Sequence, residues 1–134
     1  MTVKPDENLK LDAVIGTYVQ IFGRQPHVKE IDQWSKAVED SDLSLGKMAL
    51  LLLGSGEQEE KMGFNINNAD IPTQIKQLYL GVLGREADAE GEKFWGGHLK
   101  NKTTTLENIA SAIVNSPEME THYKPVSEWD FAID

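Results

Sequence analysis

Residues 75–123 read IKQLYLGVLGREADAEGEKFWGGHLKNKTTTLENIASAIVNSPEMETHY, and residues 14–62 read VIGTYVQIFGRQPHVKEIDQWSKAVEDSDLSLGKMALLLLGSGEQEEKM. Set one above the other, the two stretches align without a gap. Tyr18 falls on Tyr79, Gly23-Arg24 on Gly84-Arg85, and Trp34 on Trp95. Further along, Leu45 meets Leu106, Ala49 meets Ala110, Ser55 meets Ser116 and Glu57 meets Glu118. Where identity is lost, apolar character is kept, as in Phe22 with Leu83, Met48 with Ile109 and Leu52 with Ile113. A Tyr, a Gly-Arg and a Trp in one ungapped register identify an internal duplication, one supersecondary unit used twice.

Each unit reads as three or four short helices. In the second, Pro72 suits a first helical turn, and Ile75, Leu78, Tyr79, Val82 and Leu83 recur on one helical face. Gly84 follows as a C-terminal cap, where a left-handed backbone is needed. Asp88 caps the next helix, which contains Gly91 and turns Phe94, Trp95 and Leu99 inward. The run Thr103-Thr104-Thr105 starts a third helix carrying Leu106, Ile109, Ala110, Ile113 and Val114. Ser116-Pro117-Glu118 then combines a serine cap, a first-turn proline and a first-turn acid; this last helix ends near Tyr123. The first unit repeats the plan over 11–22, 28–38, 45–53 and 57–62. NINNAD (65–70) is a polar connector rich in turn residues. The expected architecture is therefore all-α: one domain over 1–134, repeats at 14–62 and 75–123, and seven or eight short helices on one core. A tail at 124–134 alternates Trp129, Phe131 and Ile133 with polar or small neighbours, as an extended strip lying on the helices would.

The composition agrees with a folded domain. In 134 residues, 40% are hydrophobic and 26% charged, too apolar for intrinsic disorder. The absence of cysteine excludes disulfide scaffolds, thiolate zinc sites and cysteine nucleophiles. A net charge of -9 is the wrong sign for gripping phosphates, so nucleic acid is not an expected partner and anionic membranes are disfavoured. The longest apolar run, Met48 to Leu53, is far short of the roughly 20 residues that span a bilayer. MTVKPDENLK at the N-terminus lacks the apolar stretch of a signal peptide.

The segment from Leu78 to Met119 resembles the DUF4214 domain. The features that carry the resemblance are Leu78-Tyr79, Leu83-Gly84-Arg85, Asp88 with Gly91, Phe94-Trp95 and Asn115-Ser116-Pro117-Glu118. It covers Ile75 to about Tyr123, and the first unit is a degenerate version with His27 and Glu30 where Asp88 and Gly91 stand. The resemblance implies a helical fold without an assigned activity, in proteins of bacterial surface layers, large calcium-rich secreted adhesins and exported enzymes. The unit is also similar to the helical repeat of phycobilisome linker polypeptides, which are assembly proteins. Neither comparison supplies a catalytic residue.

Several residues are candidates for more than packing. Arg24 and Arg85 stand just past capped helix ends, where each can pair with the negative helix terminus or with a carboxylate such as Glu86, Asp88 or Glu118; ligand recognition is the alternative. Tyr18, Trp34, Tyr79 and Trp95 are read as structural anchors, with sugar stacking as the sharper idea for a tryptophan and Trp129 best placed for it. Asp88 and Glu90 are the metal candidates, in a stretch that lacks the ligand spacing of an EF-hand calcium loop. His27, His98 and His122 are scattered without an i, i+4 partner, against a zinc site. No nucleophile elbow, phosphate loop or Ser-His-Asp grouping occurs, and no enzyme activity is expected. An acid hydrolase would need two carboxylates about 5–10 Å apart in a deep pocket.

Two functions follow. The leading one is a non-catalytic module of a secreted or cell-surface bacterial protein, holding it to a polysaccharide or matrix protein, with calcium as a possible aid. It would leave the cell without a cleaved N-terminal signal, the tail SEWDFAID being similar to uncleaved type I secretion signals. The alternative is a cytoplasmic scaffold or linker that binds another protein in a groove between the units.

Overall fold

The computed structural model describes residues 5–40 and 43–121, with side chains from residue 11 onward. Among the described residues eight α-helices follow one another: α1 (Pro5–Phe22), α2 (Val28–Asp40), α3 (Leu45–Leu53), α4 (Gly56–Met62), α5 (Ile71–Leu78), α6 (Ala89–Lys100), α7 (Leu106–Val114) and α8 (Pro117–Glu120). No strand occurs among the described residues. One apolar cluster joins both halves. Its fully enclosed side chains include Met48 and Leu53 from α3, Ile75 and Leu78 from α5, Ile109 from α7 and Met119 from α8.

Local chemistry sets the helix boundaries. Ser44, Asp70, Asp88, Thr105, Ser55 and Ser116 each sit with extended backbone and accept a hydrogen bond from the N–H three residues on, which satisfies one orphan donor of the first turn. Gly23 and Gly84 close the first long segment of each half in the left-handed conformation, at φ 69° and 73°. A side chain there is strained, which explains the glycine at both positions.

Helices α3 and α7 form the most extensive helix pair and cross at the centre. Their close approach depends on Gly46: a Cβ there would lie 2.0 Å from the Ser111 hydroxyl oxygen and 2.5 Å from its backbone nitrogen. The equivalent position in the second half is Glu107, which lies on the rim of the same crossing, 4.0 Å from Lys47.

Three features differ from the sequence expectation. The segment read as one helix through Leu83 changes to a π-helical turn over Tyr79–Leu83, while α1 runs unbroken to Phe22. The π turn packs Gly81 against Leu53, with 2.6 Å between a hypothetical Cβ and Leu53 Cδ2, and Gln20 Nε2 donates to the Val82 carbonyl at 3.1 Å. The last carbonyls of a helix have no intrahelical partner, and Gln20 takes that of Val82. Second, the polar connector contains a 310 turn (Ile66–Asn68) whose Ile66 is fully buried. Third, Trp34 and Trp95 sit partly buried at the margin of the core rather than inside it, and Phe94, expected to face inward, is 56% exposed. The strip 124–134 and its Trp129 lie outside the described residues.

Candidate functional site

Tyr, Arg and Glu form the same assembly twice. Arg24 donates from Nε and Nη2 to the two carboxylate oxygens of Glu57, at 3.1 and 2.9 Å. Arg85 donates in the same way to Glu118, at 2.6 and 2.9 Å. Each guanidinium lies over the tyrosine six residues back, 5.1 Å from the Tyr18 ring and 5.3 Å from the Tyr79 ring. The serine-capped start of a short helix holds each glutamate, and Ser55 and Ser116 also donate back to Leu52 and Ile113, at 2.7 Å in both cases. This bidentate geometry needs arginine's planar fork and cannot be matched by lysine.

Around this shared frame the halves diverge at one carboxylate. In the first, Glu30 accepts from the Tyr18 hydroxyl, from Arg24 Nη1 at 3.4 Å and from the His27 N–H at 3.0 Å. The last bond is the reach-back half of a capping box at the start of α2. In the second, Gly91 stands where Glu30 does, and Asp88 supplies the forward half, its Oδ1 accepting from the Gly91 N–H at 2.8 Å. A Cβ on Gly91 would meet Asp88 Oδ1 at 2.5 Å and the Tyr79 hydroxyl at 3.0 Å. The side chain is thus missing because its place is taken. No described residue hydrogen-bonds the Tyr79 hydroxyl.

The electrostatics follow the bonding. Burial pushes the Tyr18 phenol well above its usual range, and the bond to Glu30 adds to this. Burial also pushes Glu30 upward, but bonds from Tyr18, the His27 backbone and Arg24 outweigh it and hold the carboxyl below the usual range. The hydrogen bonds from Arg24 hold Glu57 low, and the bond to Glu118 holds Arg85 in its charged form.

Two hollows adjoin these residues. A small pocket of about 170 Å³ lies over the second clamp, walled by Tyr79, Leu83, Trp95 and Ile113, with Arg85, Glu118 and Ser116 at its edge and Ala112 on its lip. A broader groove of about 880 Å³ separates α5 from α6, floored by Ile71, Pro72, Ile75 and the adjacent Gly96 and Gly97. It lies inside the second half rather than between the units. Nearby, Phe94 is 56% exposed and stacks edge-on against Trp95 and His98.

Of the three carboxylates that the sequence offers as partners of Arg85 (Glu86, Asp88 and Glu118), the structure pairs it with Glu118, and Arg24 with Glu57 at the same spacing of 33 residues. Sequence reasoning did not anticipate Glu30 as a third partner of Arg24, nor the groove at Gly96-Gly97, since both depend on how α1 and α5 pack on α2 and α6. Asp88 serves as a helix cap, Glu90 stands in the first turn of α6, and no group of three His, Cys, Asp or Glu residues suited to a metal occurs among the described residues.

Residues 49–123, more than half of the chain, match the family described as a domain of unknown function, DUF4214. The chain belongs to the DUF4214 family. No curated protein matches it. The DUF4214 match begins inside α3 and so takes in the C-terminal half of α3 and all of α4 as well as the whole second repeat. Physically this is reasonable, because α7 needs α3 as its packing partner at the central crossing.

Proposed function

We propose that this DUF4214 domain is a non-catalytic binding module that holds a secreted or cell-surface bacterial protein to a neutral polysaccharide. The observation that carries this reading is the small pocket in which the Tyr79 and Trp95 rings stand beside the Arg85–Glu118 pair. Sugar rings offer apolar C–H faces to an indole and hydroxyls to charged partners, and charge-assisted hydrogen bonds are the strong kind. A net charge of -9 repels uronic-acid and sulfated chains and so favours uncharged ones. Calcium is not required by this reading. Binding of the purified domain to a panel of neutral bacterial and plant polysaccharides tests it. Saturable binding that persists in chelator is expected, and a flat response across the panel rejects the proposal.

The groove between α5 and α6 favours a second reading, a cytoplasmic scaffold gripping an apolar segment of another protein. Recovery from the cytosol in a fixed ratio with such a protein, together with a flat polysaccharide panel, would replace the first reading by this one.

A further inference from the structure

Within the polysaccharide reading, on which this inference rests, we infer that the domain has one sugar site, in the second half, at the place where the first half supplies its own ligand. The first half serves as an internal control. There the Glu30 carboxylate satisfies the Tyr18 hydroxyl and an Arg24 N–H from within the chain. In the second half the corresponding residue is Gly91, and the Tyr79 hydroxyl has no partner among the described residues. Arg85 uses three N–H groups, two on Glu118 and one on the Glu86 carbonyl at 2.9 Å. Of a guanidinium's five, two remain. Tyr79 and Arg85, both of which line the pocket, therefore keep hydrogen-bonding capacity that their counterparts spend on Glu30.

The walls differ in the same sense. Ala112 forms the pocket's lip, whereas its counterpart Leu51 is 46% exposed, and Leu83 is replaced by Phe22, which packs edge-on against Tyr18 at 4.7 Å. At about 170 Å³ the pocket is smaller than the several hundred Å³ of drug-sized sites and suits a single sugar ring. Trp95 supplies the stacking wall, the Tyr79 and Arg85 donors meet ring oxygens or hydroxyls, and Glu118 accepts from a hydroxyl. Asp88 beside the tyrosine disfavours an anionic sugar at this point.

Isothermal titration of the intact chain with cellotetraose, mannotetraose and chitotetraose tests the site. The expected result is one ligand per chain for at least one probe. Asp88→His with Gly91→Glu transplants the first half's arrangement, and Ala112→Trp plugs the pocket from an exposed position. Each should weaken binding at least tenfold while leaving the melting temperature near the parent's. Should the double variant fail to fold, Ala112→Trp alone decides. Undiminished binding in that variant, or two ligands per chain, overturns the site and leaves the polysaccharide reading standing; a parent that binds none of the three probes overturns the site, and a flat polysaccharide panel beside it overturns both.

Discussion

The two halves solve the same problem with a carboxylate drawn from different positions. Both must satisfy the start of their second helix and place a negative charge beside a Tyr–Arg stack. In the first half Glu30, the third residue of α2, reaches back to the cap and also ties down Tyr18 and Arg24. In the second, Asp88 caps α6 from outside, and the third residue is glycine, whose missing side chain leaves room for the Asp88 carboxylate and the Tyr79 hydroxyl. The exchange shows that a helix cap and a side-chain anchor can be one group or two. Where they are two, polar atoms of the anchor are left for another use.

A second pair of positions breaks the symmetry in the core. Met119 is fully buried, while its counterpart Gln58 is 6% exposed and its Oε1 has no hydrogen-bond partner among the described residues. Met119→Ala opens a cavity and should cost about 2–5 kcal/mol in chemical denaturation. Gln58→Met should move stability the other way, by about 1 kcal/mol, because it removes a buried, unpaired amide oxygen. If Gln58→Met destabilises, the two sites are not equivalent.

Gly46→Ala comes next in size. At the α3–α7 crossing its Cβ meets Ser111 backbone as well as side chain, so relief requires the helices to part, and a loss of about 1–3 kcal/mol is expected. Truncating Trp34 or Trp95 to alanine should cost about 2 kcal/mol each, below the 3–5 kcal/mol range of buried aromatics, because both rings are only partly buried. Equal losses would support matched placement, and a twofold difference in thermal or denaturant stability would argue against it.

The smallest effects belong to the clamps. Their arginines and glutamates are roughly 40–50% exposed, so each ion pair contributes on the order of 0.5 kcal/mol. Glu30 and Glu57 titrate below their usual range when folded, so their contribution is present above the unfolded carboxylate range and disappears as pH falls through the depressed values. Melting temperatures measured from pH 6 down to pH 2.5 should therefore fall, and Glu30→Gln should flatten that fall. Glu30 has three partners to lose upon protonation. A profile unchanged by Glu30→Gln would remove this residue from the comparison.

Much of the fold was legible because the helix signals are local. A serine, threonine or aspartate cap, a proline in the first turn and a glycine at the C-terminus act within four residues, and the boundaries of α3, α6 and α7 follow from them. The Arg–Glu clamps were legible only in part: Glu118 was one of three carboxylates within reach of Arg85, and the choice among them belongs to the packing of α8. The π turn was not. It arises where Gly81 meets Leu53 and Gln20 meets Val82, between segments far apart in the chain.

By itself the sequence determined that one helical unit occurs twice, where its helices begin and end, and which faces are apolar, because hydrogen-bond capping and hydrophobic periodicity are properties of neighbouring residues. Only the tertiary structure decided that Gly91 and Glu30 are alternative answers to one requirement, that the tryptophans edge the core, and that a pocket opens beside Trp95. Those outcomes depend on which side chain reaches a shared point in space first, and two atoms cannot occupy it together.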